Sequence, residues 1–462
     1  MNEASVQALR AHFNGALLPE GAEGYDAARK VWNGAIDRKP ALIARCTGVR
    51  DVVAAVRFAR EQDLTISVKG GGHAVAGHAV GEGAVMVDLS LMREVWVDPA
   101  AKTARAAGGT IWNDVDRATQ AVGLATVGGI VSHTGVGGLT LGGGIGHLMR
   151  PFGLTVDNLK AIELVTADGK QIRADAENES ELFWGLRGGG GNFGIATAFE
   201  FELHSLGPIV LSGVIAWPLE RAREVLGVVR RLQAEGPDEL GLTVSMRKAP
   251  PIPFWSPDHY LQPAILVIPT WTGDPSAGAR ALAPLRAIDG QIADLVQPVP
   301  YIFIQTMLDI GVPHGMHYYW KSHELPGLPD AAIDTLIDRL EKATSPLNQF
   351  GLFVKGGAVA RLPDDACAAR GRSSAYDLNI VGQWPRTDEQ GDAHKKWVRD
   401  TFAAMDPHGT GTYVNFLSDE GRAGLEAAYG ADTLKRLVAL KDQFDPTNVF
   451  RFNANIPPSN SA

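Results

Sequence analysis

The spacing of hydrophobic and polar positions changes several times along this chain, and each change marks a different kind of element. In TGVRDVVAAVRFAREQD, Val49, Val52, Val53 and Val56 share one face at helical spacing and Thr47 stands at the N-cap position; the pattern predicts a short amphipathic helix leading into a strand at LTISV. EVWVD and KTARAA predict a strand pair, and NLKAIELVTADGKQIRA a hairpin turning at Asp168 and Gly169. From about Pro208 the alternations lengthen: a strand near VLSGVIAW, a helix near ERAREVLGVVRRL, strands at LTVSM and AILVI, then further helices and strands to about Met405. Counting by twos through YDLNIVGQW sets Asn379, Val381 and Gln383 on one face and Tyr376, Leu378, Ile380 and Trp384 on the other. Such a face suits an antiparallel sheet with helices on one side and a ligand on the other. The C-terminal stretch returns to the first texture, with a helix around LKRLVALKDQF and the irregular tail DPTNVFRFNANIPP.

These patterns predict an α+β protein of two units, one built from residues 1–207 and 409–462 and the other from 208–408, the second an antiparallel sheet under helices. Its 462 residues exceed what a single core usually holds, about 250 to 300, which agrees with two packed units sharing one site. A formal net charge of -9 with both signs mixed along the chain argues against a nucleic-acid partner, which calls for concentrated Lys and Arg. No apolar run reaches membrane-spanning length, and MNEASVQALRAHFNG carries neither a basic n-region nor an apolar h-region, so a cytoplasmic location is expected. With only Cys46 and Cys367, a disulfide framework and a cysteine-rich metal site are both excluded by count, and two buried thiols are expected.

Glycine is concentrated: 18 of the 53 lie between Lys69 and Gly146, a density that points to a chain wrapped closely around something. VKGGGHAVAGHAV leaves a strand and enters three successive glycines, which lets backbone amides converge on an anion such as a diphosphate. It is not a Walker A loop, because no Gly-Lys-Ser/Thr follows, nor a strand-GxGxxG-helix unit, which argues against a nicotinamide-dependent enzyme. His73, at the end of the triglycine, could be a cap, a metal ligand or a nucleophile. The loop, together with GVGGLTLGGGIGHLMRPFGLTVDN, ELFWGLRGGGGNFGI and FDPTNVFRFNANIPP, resembles the FAD-linked oxidases of the vanillyl-alcohol oxidase type, with their PCMH-type FAD-binding domain, in the berberine bridge enzyme-like branch that also holds bacterial 6-hydroxynicotine oxidases and carbohydrate oxidases.

The resemblance implies FAD joined covalently to His73, with Lys69 in the basic position of the loop. It implies a single link, because the cysteine that makes a second bond in part of the branch is replaced at about Val131 in GGIVSHTGVGG. Gly70, Gly71, Gly72 and Ala74 are expected to face the diphosphate, with Gly77 and His78 continuing the same loop. Gly138, Gly142, Gly143 and Gly146 are expected to approach the dinucleotide from the other side, Gly194 and Ile195 to close over the adenosine, and Asn453 and Asn455 to reach back to the ring. His133 is expected to line the cofactor groove or to be exposed. TYVNF resembles the family's YxN segment, so Tyr413 is the candidate base, on condition that a cation or strong donor lowers its pKa, and Asn415 its orienting partner. Gln383, on the polar face of YDLNIVGQW, is placed on the substrate wall. Lys355 in FVKGGAVARL is either turned toward the flavin or a solvated strand-end lysine. The activity implied is removal of a hydride from an alcohol, amine or sugar carbon of a small substrate, with dioxygen as acceptor and hydrogen peroxide as product. A dehydrogenase using another acceptor and a non-catalytic flavin-containing binding protein are the alternatives.

Overall fold

Val52, Ala55, Val56, Phe58 and Ala59 form the buried side of the helix Val49–Glu61, and they seat it on a four-stranded sheet. The computed structural model describes residues 3–251 and 256–461. In that sheet Leu42–Arg45 and Ile66–Lys69 run parallel to Val85–Asp88 between them, and Ala16–Pro19 closes the edge antiparallel to Leu42–Arg45. The Val49–Glu61 helix makes the crossover from Leu42–Arg45 to Ile66–Lys69, which parallel strands of one sheet require. The helix starts one residue later than expected, with Gly48 at the N-cap. Thr47 instead gives its amide and its hydroxyl to the Asp51 carboxylate, at 2.9 and 2.8 Å.

A second, five-stranded antiparallel sheet holds the expected pair Val95–Asp98 and Thr103–Ala107 and the expected hairpin Leu159–Val165 and Gln171–Asp175, with Ile195–Glu202 between them. The third sheet has nine strands, all paired antiparallel, drawn from Ile209–Ser212 through Tyr376–Trp384. One of its faces carries Val244, Ile265, Val267, Leu352, Leu378 and Ile380 under the helices Ala222–Glu235, Asp330–Glu341 and Gly391–Met405. Each large apolar side chain buried there contributes about 1.5–3 kcal/mol relative to exposure. The single strand expected at VLSGVIAW is two, Ile209–Ser212 and Ile215–Pro218. They break at Gly213, whose φ of 149° no other residue adopts without strain and whose Cβ would lie 2.3 Å from the Leu295 carbonyl.

After the third sheet the chain returns to the first two. The helix Gly421–Phe444, interrupted at Gly430, buries Leu437 and Leu440 in the core that holds Leu186 and Phe193. Lys441, fully buried, then pins the tail: its ammonium donates to the carbonyls of Asn192 and Phe450 at 3.0 and 2.9 Å and pairs with Asp445 at 2.7 Å. Both cysteines are buried free thiols. Among the described residues no helix is long and apolar enough to cross a membrane.

Candidate active site

The triglycine begins where the strand Ile66–Lys69 ends, and there the chain crosses a second segment at close range. A Cβ on Gly71 would lie 2.5 Å from the backbone of Gly135, so glycine is required for the two segments to touch. The Gly72 carbonyl accepts from the Trp32 amide at 3.0 Å, which brings the Trp32 indole flat against His73, the rings 4.4 Å apart and 15° from parallel. Tyr318 also stacks on the indole, its ring centroid 3.7 Å away. His133 lies 4.9 Å from His73, and His314 lies 4.7 Å from His133. Among the described residues no group of three His, Cys, Asp or Glu is arranged to hold a metal ion. Burial first, then His133 and His314, hold the His73 imidazole well below its ordinary pKa. It is therefore neutral near pH 7, and its Nε2 is buried with no hydrogen-bond partner.

His73 lines a cavity of about 940 Å³, at the upper end of the usual range of roughly 300 to 1,000 Å³ for ligand sites. Of the residues expected from sequence, Gly70, Gly71, Gly72, Ala74, His78, Gly138, Gly142, Gly194, Ile195 and Asn453 line it as well, together with Gln383, Tyr413 and Asn415. Burial lowers the pKa of His78 to about 4, with Arg38 adding to the effect. A Cβ on Gly138 or Gly191 would meet no protein atom within 4 Å and would project into open cavity space, as expected of a bed shaped for a ligand. Asn453 spends its amide on the carbonyls of Gly191 and Phe450 and leaves its Oδ1 buried and unpaired. A glycine bed, a neutral buried imidazole and unpaired acceptors together fit a flavin dinucleotide.

Five expected residues stand elsewhere. Lys69 turns away, its ammonium donating to the carbonyls of Ala28 and Lys30 at 2.7 and 3.0 Å, so it ties the N-terminal segment to the loop. Gly77 makes a turn at φ 69° packed on Ile36. Gly143 packs on Ala369 and Tyr413, Gly146 lies against the Gly128 carbonyl, and Asn455 is outside the cavity lining. His133 is neither exposed nor on the cavity wall but beside His73. Lys355 takes neither of its expected positions: it is buried, 2.8 Å from Asp377 and 2.7 Å from the Gly371 carbonyl.

Tyr413 enters from the C-terminal segment, and its hydroxyl oxygen accepts from the Gly144 amide and from Asn415 Nδ2, both at 2.8 Å. Asn415 thus orients the phenol. Burial nonetheless raises the phenol's pKa, outweighing the donors, and the nearby Asp377 raises it further. The opposite wall is the third sheet, where Asn379, Val381 and Gln383 face the cavity on the side counted from the sequence. The Asn379 Oδ1 and Gln383 Oε1 atoms have no partner. Sequence reading missed Trp32, His314, Trp320, Gln349 and Arg247. For Arg247 a signal existed, since carrying the alternation of LTVSM two residues further sets it on the face of Thr243 and Ser245.

Two family models match this chain: FAD binding domain over residues 40–175, and berberine and berberine like over residues 412–457. An FAD-linked oxidoreductase of Dictyostelium discoideum is 31% identical over 451 residues, covering 96% of this chain and 95% of that protein. The (R)-6-hydroxynicotine oxidase of Paenarthrobacter nicotinovorans is 30% identical over 462 residues, covering 97% and 98%. In fold, a glucooligosaccharide oxidase from Acremonium strictum, described for its 6-S-cysteinyl, 8α-N1-histidyl FAD, superposes with a TM-score of 0.87 at 23% identity over 99% of each chain.

Proposed function

This chain belongs to the FAD-linked oxidoreductases of the vanillyl-alcohol oxidase type, in the berberine bridge enzyme-like branch, and from that premise we propose that it is an oxidase holding FAD by one covalent bond to His73. The observation that carries the reading is the His73 imidazole: neutral, buried, without a partner at Nε2, and set in the wall of a cavity bedded with glycine. A neutral imidazole keeps the lone pair that bonding to an electrophilic carbon requires. Neither Cys46 nor Cys367 is on the cavity wall, where Val131 stands, which supports one link rather than two.

The chemistry FAD supplies when bound is acceptance of a hydride from a substrate carbon, with dioxygen as final acceptor and hydrogen peroxide as product. The protein's own residues position and deprotonate. The glycines of the two crossing segments and Asn453 hold the dinucleotide, and the unpaired acceptors of Asn379 and Gln383 take substrate hydroxyl or amine protons in hydrogen bonds. Tyr413, braced by the Gly144 amide and Asn415, receives as its phenolate the proton that leaves with the hydride and becomes the neutral phenol; the same two donors stabilise the phenolate that must be present beforehand. Acid precipitation tests the link: colour stays in the pellet of the wild-type protein and is released to the supernatant by His73→Ala, and a colourless wild-type pellet overturns the assignment. A peroxide-release screen over sugars, cyclic amines and phenolic alcohols tests the acceptor. Substrates that bleach the yellow protein anaerobically but yield no peroxide in air would make it a dehydrogenase.

A further inference from the structure

Among the described residues lining the cavity there is no Asp, Glu or Lys, and one side chain with a fixed charge, Arg247. It sits on the strand Leu240–Lys248, opposite Gln349 on the neighbouring strand. One guanidinium nitrogen, Nη1, donates to the Gln349 Oε1 at 3.0 Å, and the Ser245 hydroxyl donates to the same oxygen at 3.4 Å. The Arg247 Nε is buried without a partner. A half-buried guanidinium whose Nε is out of water, with neither a carboxylate nor a full set of acceptors, is costly, and the acceptors of a ligand in the cavity would offset that cost. Gln349 offers its carbonyl to Arg247 and Ser245, so this corner of the wall presents donors.

We propose that Arg247, held by Gln349, is the recognition site for an anionic group on the substrate, so that the substrate class is small organic carboxylates oxidised at a carbon remote from the carboxylate. The inference rests on the oxidase reading and adds the feature by which the cavity chooses its substrate. The spacing follows from the strands. Phe353, paired with Thr243, meets Phe416, which in turn meets Tyr413, with ring centroids 5.9 and 5.0 Å apart. Arg247 lies four residues farther along the strand, on the order of 13 Å of backbone. The anion and the reacting carbon therefore belong to opposite ends of the molecule. Arginine suits the task better than lysine, because its planar fork meets both oxygens of a carboxylate. Burial lowers the Arg247 pKa only to about 10, so it is cationic at neutral pH and its charge awaits a counter-ion.

Benzoate, phenylacetate and 4-phenylbutyrate place a carboxylate at three distances from a ring, and their amides are neutral counterparts. Titrated into the yellow holoenzyme, at least one acid is expected to perturb the flavin absorbance saturably and to bind about 10- to 100-fold more tightly than its amide. Arg247→Met is expected to remove that preference while the flavin content stays at the wild-type level, and Arg247→Lys, which keeps the charge without the fork, to retain part of it. Equal binding of acid and amide overturns the proposal, as does no saturable change with any of the three acids. An Arg247→Lys protein with the full wild-type preference overturns the fork, and an Arg247→Met protein that loses flavin together with acid binding reassigns the side chain to the cofactor and overturns it too. A colourless wild-type protein sinks the oxidase reading instead, and the rise in unfolding temperature produced by benzoate over benzamide then still reads the anion site.

Discussion

Tyr413 is pulled in two directions. Two N–H donors on its oxygen favour the phenolate, while burial favours the phenol and prevails. A base whose pKa is raised loses its proton only above the ordinary tyrosine value of about 10, so the fraction ready to accept a proton grows with pH across the neutral range. For a substrate whose proton must leave, kcat/KM is expected to rise with pH without a plateau below about pH 10, and Tyr413→Phe to lose about 100-fold or more in kcat with flavin retained. A plateau near pH 7 that survives in Tyr413→Phe would assign the proton to another group. At this scale the sequence reveals residues that carry their own local signature. The places of the triglycine and His73 on the cavity wall are legible because contiguous glycines mark a close approach of the backbone, here to Gly135, and that of Asn453 because its motif is continuous. Trp32 and His314 are not, since nothing near them in sequence says that folding stacks the indole on His73 or brings the second imidazole beside His133.

Strands and helices were readable where one face alternates cleanly. YDLNIVGQW gave the correct cavity face because each of its nine residues is buried, the apolar set under helices and the polar set toward the cavity. VLSGVIAW misled because an unbroken apolar pattern does not register a single glycine that turns the backbone by its φ. Lys355 was misplaced for a related reason. Its neighbours in sequence are glycines, but its partner Asp377 comes from the adjacent strand, on the same face as Asn379. That pair joins the strands Gln349–Val354 and Tyr376–Trp384 at their ends and neutralises a buried carboxylate. Lys355→Met strands the Asp377 charge and is expected to cost about 3–5 kcal/mol in denaturant unfolding, most of it recovered when Asp377→Asn is added. A single variant within about 0.5 kcal/mol of wild type would mean that the pair contributes no stability.

Across the whole molecule, the cavity is assembled from three distant parts of the chain, and Asn33 fastens two of them. Its side-chain amide donates to the carbonyls of Val75, just past His73, and of Tyr318, in the third sheet, at 2.7 and 3.0 Å, and its Oδ1 accepts from the Tyr318 amide at 3.1 Å. Asn33→Ala orphans these buried groups and is expected to lower stability by roughly 2–5 kcal/mol, seen as an earlier thermal midpoint and brighter flavin fluorescence. An unchanged midpoint would show that the two layers are held by apolar packing alone. The α+β class was legible from texture, whereas the joints between layers were not, because each is a contact between residues hundreds of positions apart. The third contributor is the C-terminal segment, which brings Tyr413, Asn415 and Asn453, the last of the cavity's lining to emerge from the ribosome. A nascent chain can lay down the glycine bed early but cannot yet enclose anything in it, so flavin capture is an event of late synthesis or after release, and a truncated translation product should leave the ribosome colourless.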